Sequence, residues 1–410
     1  MSKYIISMTI TLLCSSLSFA QTLDDYFKLA AENNPGLQAK YLEYEAALQN
    51  VPQVNSLNDP TLSFGYFISP VETRVGPQQA KFSITQMFPW FGTLKAQGDA
   101  AALMAEAKFQ SFVDARNRLY FQVASAYYPL YELNDWINIE QENISILKSY
   151  KTIATRKFEN GTGSMVDVLR ADIMLKDAET NLSILMEKEK PLVTIFNKLL
   201  NRPENERVAI TDSLRTENLQ GNFRKDSLIT ENPILTALDL KVKASKAAAV
   251  AAQKQGLPKF GAGLDYVMVG KRSDIAISDN GKDVLMPMVS VTIPIFRGKY
   301  NASVKEAEMM QESYGFQKDE MTNMLISDYE MAWFDIQQQR QLLSLYEQQI
   351  ETSRQSLNLL LASYGNSGKE FEEVLRMQQQ LLRYQKLRAT ALAKYQIALA
   401  KINYLTSKTY

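Results

Sequence analysis

The sequence predicts a mainly α fold with a small β part, in which long antiparallel coiled-coil helices accompany four strands in one chain of 410 residues. Three observations predict it. The chain is a tandem duplication; each half holds a helical run too long for a globular domain; and each half holds two segments of apolar/polar alternation.

Four correspondences recur in the same order in the two halves. "NPGLQAKYLEYEAA" from Asn34 matches "NPILTALDLKVKAS" from Asn232, an offset of 232 − 34 = 198. "FPWFG" with Pro89 matches "IPIFRG" with Pro294, an offset of 294 − 89 = 205. A helix starting near Gly92 matches one starting near Gly298. "NGTGSMVDVLR", with Gly161 and Gly163, matches "GNSGKEFEEVLR", with Gly365 and Gly368, and Leu169 answers Leu375 at an offset of 206.

Each half thus reads as helix, strand pair, long helix, glycine turn, helix. The first repeat covers 21–200, with strands over about 60–69 and 79–89, a long helix over 92–157, a turn at 159–164 and a return helix over 165–200. The second covers 233–410, with strands over 259–269 and 284–295, a long helix over 298–364, a turn at 365–369 and a return helix over 370–405. Residues 201–232 join them.

The helices carry a seven-residue period. Ile336, Leu343, Ile350, Leu357 and Tyr364 mark one seam, with Tyr346 and Leu360 beside it; Leu130, Ile137, Ile144 and Phe158 keep the register in the first half, Lys151 being the exception. Continuous helix from Gly92 to Lys157 would be about 100 Å long. Pro129 removes a backbone donor within it and predicts a kink near Tyr128.

The strands alternate cleanly. Leu62, Phe64, Tyr66 and Ile68 oppose Thr61, Ser63 and Gly65, and Phe82, Ile84 and Phe88 oppose Ser83 and Thr85. In the second half Phe260, Ala262, Leu264, Tyr266 and Met268 oppose Gly261, Gly263 and Asp265, while Val289, Val291 and Ile293 oppose Ser290 and Thr292. Strands of this length span a bilayer at a tilt, and aromatics at their ends suit its interfaces. Two hairpins cannot close a barrel and an open edge is not tolerated in lipid, so several copies must contribute strands. Three copies give twelve. The connections from Ser69 and from Gly270 read as polar loops.

Composition narrows the function. Residues 1–20 have a lysine, a short apolar run and Ser18-Phe19-Ala20, a signal peptide cleaved before Gln21. Cys14 falls inside its apolar run behind Leu13, which argues against lipid attachment. The remaining chain has no cysteine and the whole sequence has no histidine, so the side chains most used in nucleophilic, proton-shuttling and metal chemistry are missing. No catalytic, cofactor or metal site is expected. Lys plus Arg equals Asp plus Glu at 45 each, which gives nucleic acid no basic surface. The sixteen methionines read as packing residues.

Taken together, these features resemble the TolC family of bacterial outer-membrane efflux channels, over roughly residues 22 to 408. The resemblance rests on the duplicated plan, the helix starts at Pro35 and Pro233, the strand exits at Pro89 and Pro294, and the glycine turns followed by "DVL" or "EVL". It implies a homotrimer in outer-membrane lipid, its 12-stranded β-barrel continued by an α-helical barrel in the periplasm of a Gram-negative bacterium. It also implies partners, a periplasmic adaptor protein and an inner-membrane pump of the RND type, meeting a periplasmic tip at Gly161, Gly163, Gly365 and Gly368.

By the same resemblance Asp167 and Glu373 fall at the pore entrance. Arg170 and Arg376 stand where some members repeat an acid, and each acid shares a helix face with its arginine, so each pair reads equally as a gate element or a solvated ion pair. Residues 201–232 read either as a girdle around the cylinder or as a plain linker. The first strand pair looks like branches that accompany heavy-metal exporters. The alternative function, a periplasmic coiled-coil scaffold or adaptor without a pore, explains the heptads and leaves the strands unexplained.

Overall fold

The computed structural model describes residues 22–210, 214, 231–274, 276–367 and 371–407. The segment expected to be a signal peptide, most of the joining segment and Gly368 lie outside the described residues. In order the elements are α1 (Leu23–Asn33), α2 (Pro35–Asn55), β1 (Thr61–Thr73), β2 (Gly76–Phe88), α3 (Thr93–Glu159), α4 (Met165–Leu199), α5 (Pro233–Gln255), β3 (Lys259–Val269), β4 (Val284–Thr292), α6 (Gly298–Ser367) and α7 (Phe371–Leu405).

The "NP" helix starts do the same double duty in both halves. Asn34 Oδ1 accepts from the Leu37 amide at 3.1 Å to cap α2, while its Nδ2 donates to the Leu199 carbonyl at the end of α4 at 2.9 Å. Asn232 Oδ1 accepts from the Ile234 amide at 3.1 Å, and its Nδ2 donates to the Leu405 carbonyl at the end of α7 at 3.1 Å. Proline at the first helical position forfeits an amide that would have no helical partner anyway. One asparagine therefore starts the helix that leads into each repeat's strand pair and holds the last residues of that repeat's final helix.

α3 runs for 67 residues, about 100 Å at 1.5 Å per residue, and stays helical through Pro129. Nearest the sheet, α2, α3, α5 and α6 pack side by side; towards the turns the order is α4, α3, α7, α6. Ile336, Leu343, Leu357 and Tyr364 are buried along the seam, as are Leu130 and Ile144. Lys151, the exception, places Nζ 2.5 Å from Asp172 of α4, so the polar position has a counter-charge. Phe158 departs from the expected register: it is 45% exposed because it sits in the last turn of α3, where the return helix is only starting.

The four strands form one antiparallel sheet in the order β1-β2-β3-β4. The first connection is shorter than the polar stretch from Ser69 predicts. β1 continues to Thr73 and β2 resumes at Gly76, with a register irregularity between Tyr66 and Val71. Gly76 has φ +134°, and a Cβ there would lie 1.8 Å from the Gly270 carbonyl oxygen, so the tight turn and the second connection meet at a point only glycine fits. β4 stops at Thr292, short of the expected 295, because Pro294 has no amide to extend the ladder.

Candidate functional site

The bend between α3 and α4 is built as a Schellman cap. The Gly161 amide donates to the Phe158 carbonyl at 3.0 Å and the Thr162 amide to the Lys157 carbonyl at 2.9 Å, with Gly161 at φ +69°. Ser164 then caps α4 by accepting from the Val166 amide at 3.1 Å. Gly163 serves a different need: a Cβ there would lie 2.8 Å from the Lys157 Cβ.

Gly365, the described glycine of the second-half pair, does not repeat this. Gly365 lies inside α6, which continues to Ser367, and it has no positive φ. The expected turn beginning at Gly365 is therefore corrected: the helix reaches three residues beyond the expected 364, to Ser367, as the open space around Gly365 allows.

Below the bends a shared core joins the two helical hairpins. Phe371 packs on Tyr364 with ring centroids 4.7 Å apart and on Tyr150 at 6.5 Å, above buried Ala171, Leu175, Val374 and Leu375. Burial pushes the Tyr150 hydroxyl up to about 12. Burial, with the nearby Asp167 charge, also raises that of Tyr364. Lys157 ties the α3 end to α6, its Nζ 3.1 Å from the Gly365 carbonyl oxygen and 4.9 Å from the Tyr364 ring centroid.

The four charged residues named from the sequence sit together at this end, but their pairing differs from the helical spacing. Glu373 and Arg376 do form a local ion pair. Arg170 does not turn back to Asp167; its Nη1 lies 2.8 Å from Glu372 Oε2, joining α4 to α7. Asp167 is half-buried beside Tyr364. Spacing on one helix could not show this, because the partner belongs to the other repeat. Leu169 and Leu375, equivalent by sequence, also part company: Leu375 is buried between hairpins while Leu169 is 51% exposed on α4, at the edge of the helical layer.

Above the helices the two faces of the sheet differ in kind. Cross-strand rows such as Phe64–Phe82–Tyr266–Leu285 and Leu62–Ile84–Leu264 line one face, and Leu62 and Val289 on it are 73% and 85% exposed. Glycine and serine at 63, 65, 83, 261, 263 and 290 dominate the other. There Lys81 of β2 and Asp265 of β3 form an ion pair, with the Asp265 side chain fully enclosed. Among the described residues no helix is long and apolar enough to cross a membrane. Pro89 directly follows β2, and Pro294 lies two residues beyond β4, where the chain leaves the sheet for α3 and α6.

The outer membrane efflux protein family model matches residues 27–187 and 226–407. No curated protein matches the sequence. Among solved structures, CusC superposes with TM-score 0.77 at 15% identity, over 94% of this chain and 91% of that one. The outer membrane protein VceC from Vibrio cholerae gives 0.74 at 16%, over 94% and 95%. The CmeC outer membrane channel of Campylobacter jejuni gives 0.75 at 13%, over 94% and 85%. At these identities the likeness concerns the fold.

Proposed function

The chain belongs to the outer membrane efflux protein family, and from that premise we propose that three copies assemble into one passive export duct through the outer membrane. Its work is transport, without catalysis. The observation that carries the proposal is the sheet: four strands with free β1 and β4 edges, apolar outside and small or polar within, above helices about 100 Å long. Joining β4 of one copy to β1 of the next satisfies both edges. Two copies would give eight strands, whose interior side chains fill the bore; three give twelve and leave a passage.

The helical layer calls for the same closure. Met165, Val166, Leu169 and Ile173 are exposed along α4, and Leu345 and Leu359 along α6, at the layer's two edges. Packing one edge on the other continues the barrel into the periplasm. The far end, around Gly161, Gly163, Gly365 and Gly368, meets a periplasmic adaptor and an RND-type inner-membrane pump, which supplies energy and selects cargo. Asp167, Arg170, Glu373 and Arg376 line the entrance.

Purified protein in a planar bilayer tests this. The expected result is a heat-sensitive trimer that conducts ions, with Glu373→Lys shifting cation/anion preference. A trimer without conductance sinks the duct; wild-type conductance and selectivity in the variant removes Glu373 from the entrance.

A further inference from the structure

Where strands give way to helices, a cavity of about 370 Å³ is lined by Lys254, Lys259 and Lys299 and by no acidic side chain. Lys254 Nζ lies 3.4 Å from the Phe91 carbonyl oxygen, and Lys299 Nζ lies 4.8 Å from the Tyr300 ring centroid. Neither contact neutralises a charge. The first turns of the two longest helices open onto the same space, through Thr93 and Leu94 of α3 and Lys299 and Tyr300 of α6, and neither turn holds an acidic residue. Gly92 precedes α3 in a left-handed conformation and has no side chain to cap it, so no side chain caps the positive end of this 67-residue helix.

An independent observation points to a ligand. Thr93 is 2% exposed, yet its Oγ1 has no hydrogen-bond partner among the described residues. A buried hydroxyl left this way is unfavourable, and Thr93 lines the same cavity as the three lysines.

We propose that this cavity binds a phosphate oxyanion, held by Lys254 and Lys299, the Thr93 hydroxyl and the first turn of α3. The chemistry is that of helix N-termini that take phosphate, with lysines supplying charge and the hydroxyl a directed donor. The space is many times the ~30 Å³ share of one water, so it admits a polyatomic anion. The oxyanion comes either as free phosphate or within an anionic phospholipid headgroup. Phe91, whose carbonyl receives Lys254, is 78% exposed, and Ile295 and Phe296 ahead of α6 are 78% and 87% exposed, an apolar collar suited to acyl chains. Only this lipid source rests on the outer-membrane reading; the oxyanion site stands without it.

The test uses full-length protein in detergent, freed of lipid and phosphate. Calorimetry follows inorganic phosphate, and native mass spectrometry follows phosphatidylglycerol. Wild type is expected to take one ligand per chain, and Lys254→Gln with Lys299→Gln to weaken it at least about tenfold, the scale of one lost charged hydrogen bond. Binding of phosphate identifies the free anion; binding of phosphatidylglycerol alone identifies the lipid; both outcomes support the shared chemistry. The proposal is overturned if wild type binds neither, or if the double variant binds as tightly. Should the double variant fail to assemble, Thr93→Val takes its place and must weaken binding too. A protein that conducts no ions yet binds phosphate loses the duct and keeps the site.

Discussion

Substituting alanine at Gly161 and at Gly365, the first glycine of each bend motif in the duplicated sequence, should have effects of opposite sign. Gly161 holds φ +69° with nothing within 4 Å of where its Cβ would be, so the cost of alanine is purely that of an L-residue in a left-handed conformation, about 1–2 kcal/mol. Gly365 lies within α6, also with open space around it, and there alanine gains about 0.5–1 kcal/mol of helix stability. The two variants should differ by about 2 kcal/mol, roughly thirtyfold in a local opening equilibrium. Hydrogen exchange reads that opening directly, without requiring reversible unfolding of the protein. In Gly161→Ala the Thr162 amide, which closes the cap onto Lys157, should exchange faster; in Gly365→Ala amides at the end of α6 should exchange more slowly. Unchanged exchange at Thr162, or faster exchange in the α6 variant, would refute the assignment of bend and helix. Gly163→Ala should be worse than Gly161→Ala, since its Cβ would lie 2.8 Å from that of Lys157.

Two further predictions concern charges between helices. Glu140 of α3, 1% exposed, is bonded by Lys386 of α7 and by Asn143, which in turn accepts from Gln378; Lys386→Met leaves the carboxylate buried without its cation, at about 3–5 kcal/mol. Thermal melting should fall sharply, and adding Glu140→Leu should restore most of it; a double variant no more stable than the single one would contradict the buried-charge account. Asp114 has its carboxyl raised by burial, against the pull of Arg118 and Tyr404. The folded chain therefore keeps that proton to higher pH than the unfolded chain, and stability from this residue falls as pH rises from the ordinary carboxylate value through the raised one. Asp114→Asn should gain melting temperature over wild type at pH 7 and gain little at pH 4; an equal difference at both would dismiss the linkage.

The long periods were legible and the lateral partners were not. Alternation in the strands and the heptad seam are properties of consecutive residues, so which residues share a face follows from geometry alone. The sheet rows and the buried Ile336–Tyr364 seam match that reading. What failed depended on the neighbouring element. Arg170 finds Glu372 rather than Asp167 because α4 and α7 meet at the bends, and Leu169 is exposed where Leu375 is buried because α4 is an edge helix and α7 an interior one. Similarity between repeats led to similar bends, yet αL geometry at Gly161 rests on one backbone angle that the pattern of glycines does not determine. The Glu140 network carried no signal, since its four polar groups come from two helices more than 200 residues apart; the lysines of the junction cavity are likewise scattered along the chain.

The paired asparagines at positions 34 and 232 have a bearing on ancestry and symmetry. Each stitches the opening of its own repeat to that repeat's close, so neither half needs the other to complete its circuit. A gene for one half would already encode a strand hairpin and a helical hairpin tied into one loop. Six such chains would make the ring proposed here for three. In that proposed ring, fusion trades sixfold symmetry for threefold, and it frees one half to bury Leu375 while the other exposes Leu169, a division of labour identical subunits could not adopt.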